Sequence, residues 1–399
     1  MPMARIGIYG GTFNPPHIGH IHAAQQAFAL LKLDKLLLIP DRIAPHKVLP
    51  EGSATGEQRM QMLKIGAAQI PYAQISDMEL RREGTSYTYL TVQELKELYP
   101  EDELIVIMGT DMFLSFLNWR YPEKIWEKAT IAVLCRGDKD EKQAILAQKD
   151  VLQSQGAKVE VVANEITMIS STDLRRMLAF GCAESYLPDG VLQYILDNGL
   201  YGTDRSLKQL PMEQLEKVVI SLIDPKRVNH VLGCRDTAVA LAKHWGADET
   251  DAARAGILHD ITKALRGQLQ LTLCDAYGII LDDFSAKYPK TLHALTGSLV
   301  AERIFGENQA VVDAIRHHTT GKADMTLLEK IIYVADYMEP CRDFPGVEKL
   351  RELAYTDMDA ALKLGLEMTL ELLKKQGSEV SPASRDALNW LRGKDRCKC

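Results

Sequence analysis

The chain has 399 residues, 46% of them hydrophobic and 25% charged, with a formal net charge of −7. That length supports two domains with separate cores, the composition is that of a soluble globular protein, and the acidic balance gives no electrostatic ground for nucleic-acid binding. No apolar run reaches membrane-spanning length, no leader is visible, and the scattered cysteines form no Cys-x-x-Cys pair, so a cytoplasmic protein with reduced thiols and no membrane partner is expected.

Residues 6–9 read as a strand and 21–33 as a helix. Between them stands Gly10-Gly11-Thr12-Phe13-Asn14-Pro15-Pro16-His17-Ile18-Gly19-His20. A helix N-terminus presents free backbone N–H groups and a partial positive charge. Glycines without a Cβ let the backbone approach a bound group closely. The string therefore reads as a phosphate cradle with two imidazole donors, His17 and His20, aimed into it. Further runs at 35–40, 73–80, 104–108, 130–135 and 159–162 read as strands, with helical patterns between them at 57–68, 89–98 and 139–155. This alternation predicts an α/β doubly wound parallel sheet whose ligands bind beyond the C-terminal strand ends.

Gly202-Thr203-Asp204-Arg205-Ser206 reads as a short polar hinge, with domains expected at 1–203 and 208–399. Beyond it the strand signal fades. Helical patterns run at 228–245, 249–262, 291–305, 310–317, 327–337 and 358–375, which predicts an all-α second half. His259 and Asp260 fall near the end of the 249–262 pattern. Adjacent helix residues point about 100° apart and can serve two neighbouring metal positions. His230, His293, His317, His318 and Asp336 complete a set whose imidazole–carboxylate mixture suits Fe, Mn, Zn or Ni rather than Ca. For His244 and His318 a packing or surface role is the preferred reading.

His17-Ile18-Gly19-His20 within GGTFNPPHIGH resembles the HxGH nucleotidyltransferases, and Ile169-Ser170-Ser171-Thr172-Asp173-Leu174-Arg175 resembles the ISSTxxR segment of the same family. The resemblance implies a Rossmann-like fold and nucleotidyl transfer from a nucleoside triphosphate to a phosphate-bearing acceptor. It implies that Gly10, Gly11, Thr12 and Phe13 line the ATP site, and that His17 and His20 grip the triphosphate with Mg²⁺. Lys47, in Pro45-His46-Lys47, would contact the triphosphate as a point charge. Ser171 or Thr172 would cap a helix facing phosphate oxygens, and Arg175 would fork a β- or γ-phosphate. Asn14 stands where many members carry Asp, a position read as structural.

Thr85-Ser86-Tyr87-Thr88-Tyr89 and Gly109-Thr110-Asp111 with Trp119 resemble the nicotinate mononucleotide adenylyltransferases. That resemblance implies a pyridine ring held by Trp119 and by the loop of Thr85 and Tyr87, with Asp111 on a ribose. The implied partners are ATP and nicotinate mononucleotide, and the implied products are deamido-NAD and pyrophosphate. Phosphopantetheine and nicotinamide mononucleotide stay open as acceptors.

In the second half, the order H…HD…H…H…D resembles the HD-domain phosphohydrolases. It resembles more closely the helical HD hydrolases that cut diadenosine tetraphosphate symmetrically. The segments that carry this likeness are AGILHDITK at 255–263, AIRHHTTG at 314–321 and YVADYMEP at 333–340. It implies one divalent ion on His230, His259, Asp260 and Asp336, and Asp260 bridging to a second on His293 and His317. Iron is the expected metal, with one or two ions, and Lys263 is expected to stabilise phosphate charge. The whole reads as a bifunctional enzyme of NAD biosynthesis and diadenosine polyphosphate hydrolysis. An HD domain that acts on another nucleotide, or only binds nucleotides, is the alternative, and a homo-oligomer stays open.

Overall fold

The computed structural model describes residues 3–45, 48–135, 139–165 and 167–397. It divides into two units, one running to Ala179 and including Ala183–Arg205, the other made of Phe180–Cys182 and the chain from Ser206 onward.

The first unit is built on six strands: β1 (Arg5–Gly11), β2 (Lys35–Pro40), β3 (Ala73–Ile75), β4 (Glu103–Gly109), β5 (Ala129–Cys135) and β6 (Val159–Ala163). Every neighbouring pair is parallel, in the order β3-β2-β1-β4-β5-β6. Chain order reverses between β1 and β4, which places the ligand crevice of a doubly wound sheet beside the C-terminal end of β1. Strand alternation sorts the sheet's side chains into two cores. Ile6, Ile8, Leu37, Ile39, Val106 and Ile131 pack on one face, and Leu36, Leu38, Ile105, Ile107 and Leu134 on the other. Gly7 has no room for a side chain: a Cβ there would lie 2.5 Å from Leu33 Cδ1.

The expected strand at 73–80 is shorter than its sequence suggests. β3 ends at Ile75, and Met78–Arg81 forms a helical turn. The polar pair Ser76-Asp77 ends the strand, and the turn buries Met78 in the core while Glu79 takes a buried hydrogen bond from Thr91 Oγ1 (2.5 Å).

Among its described residues the second unit contains helices and no strand. Those that build its site are Val228–Trp245, Glu249–Leu258, Leu292–Arg303, Gln309–His317 and Leu327–Met338. Val228–Trp245 and Glu249–Leu258 meet closely: a Cβ on Gly256 would lie 2.7 Å from Arg235 Cα. The 249–262 pattern stops as a helix at Leu258, so His259 and Asp260 stand in the turns that follow it. His244 is exposed and bonds the Tyr355 carbonyl at 2.8 Å.

Candidate functional site

His17 is the N-cap of the helix Ile18–Leu30, with extended backbone (φ −139°, ψ 167°). The two histidines close a reciprocal box. His20 N–H donates to His17 Nδ1 at 3.3 Å, and His17 N–H donates to His20 Nδ1 at 3.2 Å. Their rings stack with centroids 3.6 Å apart. A Cβ on Gly19 would lie 3.0 Å from His17 Nδ1, so glycine between the histidines is what lets the ring fold over the first turn. An imidazole that accepts at Nδ1 carries its ring proton on Nε2, where it is a donor. Burial pushes His17 down to about 3, so it is a neutral donor at physiological pH. The helix's first turn has no acidic side chain, which leaves its positive end for an anion.

The loop between β1 and this helix is held from behind. Arg59, fully buried, donates to Thr12 O (2.6 Å) and Asp41 O (2.7 Å), while Thr12 Oγ1 donates to Asp41 Oδ2 (2.7 Å). Phe13 adopts φ 48° and packs edge-on to His20, with centroids 5.0 Å apart. Buried Asn14 donates to Ser53 Oγ (2.9 Å) and accepts from the Tyr201 hydroxyl (2.9 Å), which gives it a structural place in the loop.

The 169–175 segment docks on the same loop. Ser171 Oγ donates to Pro15 O (3.0 Å), and Arg175 donates to Asn14 O (2.7 Å) and to Thr172 Oγ1 (3.1 Å). The cap of its helix is Ser170, whose Oγ accepts from Asp173 N–H (3.1 Å), rather than Ser171 or Thr172. At the strand ends Gly10 and Gly109 face open space: a Cβ on Gly10 would have only Ile39 O, at 3.9 Å, and one on Gly109 would have no neighbour within 4 Å. Lys47 lies outside the described residues.

The acceptor-side residues come together in part. Ser86 N–H donates to Ile43 O (2.9 Å) and Ser86 Oγ accepts from Arg42 N–H (2.9 Å), which pins the Thr85–Tyr87 loop beside the loop after β2. Arg120 bonds the Tyr87 hydroxyl (3.2 Å) and covers the Tyr87 ring at 4.8 Å, joining that loop to the Trp119 segment. Trp119 is half-buried, edge-on to Phe116 with centroids 5.2 Å apart, and its buried indole N–H has no hydrogen-bond partner among the described residues. Asp111 is exposed in the first turn after β4.

In the second unit, Asp260 sits at the middle of a buried cluster. Its Oδ2 lies 3.5 Å from His230 Nε2 and 3.4 Å from His259 Nε2, and its Oδ1 lies 3.5 Å from His293 Nε2 and 3.7 Å from His318 Nε2. Asp336 Oδ1 joins the first side, 3.2 Å from His230 Nε2. The potential ligand atoms of His230, His259 and Asp260 all lie within 4.8 Å of one another, as do those of Asp260, His293 and His318. Each ring is fixed by its far nitrogen. His259, His293 and His318 bond through Nδ1 to the carbonyls of Gly256, Lys290 and Ile315 at 2.7, 2.9 and 2.7 Å. His230 Nδ1 instead meets the Glu339 carboxylate at 2.9 Å.

Of the two adjacent histidines the structure brings His318, and not His317, to this cluster. His317 turns away, its Nδ1 2.6 Å from Glu329 Oε1, and His318 takes the place expected for it. Around the cluster stand three cationic side chains: Lys263 Nζ is 3.2 Å from Asp260 Oδ1, Arg227 pairs with Asp260 Oδ2, and Arg342 pairs with Asp336 Oδ1 at 2.7 Å. Spacing in the sequence did not single out Arg227, Arg342 or Glu339.

The Cytidylyltransferase-like family matches residues 8–177, and the HD domain family matches residues 227–341. A relative from Dictyoglomus thermophilum, named "Probable nicotinate-nucleotide adenylyltransferase", is 37% identical over 198 residues, which are 49% of this chain and 99% of that protein. A relative of the same name from Carboxydothermus hydrogenoformans is 38% identical over 203 residues, 50% of this chain and 100% of its own. The chain belongs to the nicotinate-nucleotide adenylyltransferase family. In this family member the matched half is followed by the HD domain. A solved structure described as "predicted HD superfamily hydrolase involved in NAD metabolism", from Clostridium acetobutylicum, is 35% identical. It covers 46% of this chain and 98% of its own, with a TM-score of 0.45.

The HD domain of this adenylyltransferase family member suits divalent ions. Among the described residues Asp260 Oδ1 is buried without a hydrogen bond, and it faces two imidazole Nε2 atoms and the Lys263 ammonium at 3.2 Å. Burial pushes the Asp260 carboxyl up, but His259, His230 and His318 outweigh it and hold the group well below the usual carboxylate range. Burial, reinforced by Lys263 and His318, pushes His293 down to about 3, so its ring is neutral, and its Nε2 meets the Thr319 hydroxyl at 3.1 Å beside Asp260. His230, His259, Asp260 and Asp336 would hold one ion, and Asp260, His293 and His318 a second.

Proposed function

We propose that the first unit transfers the adenylyl group of ATP to nicotinate mononucleotide, giving deamido-NAD and pyrophosphate. The second unit hydrolyses diadenosine tetraphosphate to two ADP. Family membership supports the first activity, and the reciprocal His17–His20 cap is the observation that carries it. Both histidines stand in the first turn of the helix that follows β1, beside the sheet's switch point, where the helix's positive end suits an anion. The acceptor phosphate attacks the α-phosphorus in line and pyrophosphate leaves with the Mg²⁺ that ATP brings. No covalent enzyme intermediate is needed, so this chain positions the groups and neutralises charge. His17 and His20 bind the triphosphate, assisted by Lys47. Arg175, tied to Asn14 O and Thr172 Oγ1, fixes the loop that presents them. The half-buried Trp119 ring and the Tyr87 loop, joined by Arg120, offer a wall for the pyridine ring.

For the second unit the carrying observation is Asp260, each of whose oxygens faces its own pair of imidazoles. Divalent ions held by these residues, with iron as the expected metal, would supply Lewis acidity and a more acidic bound water. Lys263, Arg227 and Arg342 then receive the anionic phosphates along the rim of the cluster.

Both activities are tested on the full chain. With ATP, deamido-NAD is expected from nicotinate mononucleotide in preference to adenylylation of nicotinamide mononucleotide or phosphopantetheine. Supplied with Fe²⁺ or Mn²⁺ in ¹⁸O-water, diadenosine tetraphosphate is expected to give ADP alone, with label in half of it. ATP plus AMP would overturn symmetric cleavage, and no hydrolysis with any divalent ion would leave a nucleotide-binding module.

A further inference from the structure

We propose that Glu339 is a positioning residue that makes the two ion positions of the HD domain unequal, strengthening the one that contains His230. The proposal rests on the metal-centre reading above. His259, His293 and His318 orient their rings on neutral backbone carbonyls, each three residues earlier in the chain. His230 alone among the four orients its ring on a carboxylate, 2.9 Å from Nδ1 to Glu339 Oε1. An anionic acceptor behind an imidazole raises the basicity of its other nitrogen, and losing such a partner costs metal sites 10–100-fold in affinity as a rule.

The slot for this carboxylate is built. Glu339 is 1% exposed and follows the helix Leu327–Met338, so the element that carries Asp336 also carries it. Its Oε2 accepts from Cys341 N–H at 2.6 Å, which turns Oε1 toward His230. On the facing helix Gly233, three residues after His230, leaves the space: a Cβ there would lie 2.9 Å from Glu339 Oε2. Arg342 Nε stands 3.6 Å from Glu339 Oε1 while its Nη2 pairs with Asp336. The His230 position therefore has three carboxylates near it, Asp260, Asp336 and Glu339, with the Arg227 and Arg342 guanidiniums paired to Asp260 and Asp336, whereas His293 faces Asp260, the Thr319 hydroxyl and the Lys263 ammonium.

The test is Co²⁺ binding to the metal-free full chain, read by calorimetry and by visible absorption. Wild type is expected to bind two ions in separable steps, with His293→Ala removing the weaker one. Glu339→Gln keeps the shape and an acceptor for the His230 N–H but removes the charge. It is expected to weaken the tight step by about 10–100-fold, change its absorption band, and leave the weak step within about threefold. Unchanged affinities in Glu339→Gln would overturn the proposal, even if the variant's thermal midpoint fell, because that is the signature of a merely structural carboxylate. If Glu339→Gln does not fold, Gly233→Ala is read in its place. It displaces the carboxylate without removing it, so an unchanged tight step there overturns the proposal too. Two equal steps in wild type would also overturn it. A wild-type chain that binds no ion would instead overturn the metal-centre reading itself.

Discussion

His317 and His318 are neighbours in sequence with opposite surroundings. His318 extends the face of Gln309–His317 that buries Val311, Ala314 and Ile315, and so turns inward to Asp260. His317 falls on the other side and bonds Glu329. A resemblance read by order alone does not separate them, although the i, i+4, i+7 spacing of Val311, Ile315 and His318 does. Arg59 is a similar case, because it occupies an inward position with Met62, Leu63 and Gly66 on its helix, where an apolar residue is the default. The paired histidines of the opening motif were legible because their chemistry is local: cap, ring stack and glycine lie within four residues. Trp119 packs on Phe116 and is proposed to hold the pyridine ring, and one substitution separates the two roles. Trp119→Ala is expected to raise KM for nicotinate mononucleotide about 5- to 100-fold while KM for ATP moves less than about threefold, since a stacking platform is worth roughly 1–3 kcal/mol. Steady-state kinetics with each substrate varied checks this, and equal loss for both would make Trp119 a packing residue.

At the scale of elements, apolar runs and their alternation with amphipathic helices carry the parallel sheet, because buried strands of such sheets are almost continuously hydrophobic. β3 is the exception. It pairs with β2 alone and over three residues, so pairing at the sheet edge, and not the length of its sequence run, decides where it stops. The turns holding His259 and Asp260 are tied by bonds from beyond their own helix: Thr262 Oγ1 donates to His293 O (3.0 Å) and Gln270 Nε2 donates to Thr262 O (2.7 Å). The start of Leu327–Met338 gives a testable case of local signal joined to long-range contact. Thr326 and Glu329 form a capping box, and Glu329 also meets His317 (2.6 Å) and Lys322 (2.9 Å). Burial raises the Glu329 carboxyl, but His317, Lys322 and Thr326 outweigh it and hold it at about 2. A carboxyl lowered on folding contributes stability above its unfolded value of about 4.5 and loses it as pH falls toward 2. Glu329→Gln is therefore expected to cost roughly 1.5–3 kcal/mol at pH 7 and progressively less below about pH 4.5. Denaturant unfolding at several pH values checks the trend, and a gap that widens in acid would contradict it.

For the whole molecule, each unit contains its own core and its own candidate site: the first draws on the β1 and β4 ends, and the second on helices of residues 228–338. Units with separate cores are expected to tolerate loss of the neighbour's chemistry. The most direct measurement is a crossed pair of folded variants assayed for both reactions. His20→Ala is expected to lower adenylyl transfer by at least about 10²-fold, since it removes a donor to developing phosphate charge, and to leave diadenosine tetraphosphate hydrolysis near wild type. Asp260→Ala is expected to abolish hydrolysis, because both proposed ion positions would share that carboxylate, and to leave deamido-NAD formation near wild type. A folded variant of either kind that lost both activities together, or a His20→Ala enzyme with near-normal transfer, would contradict two independent sites on one chain.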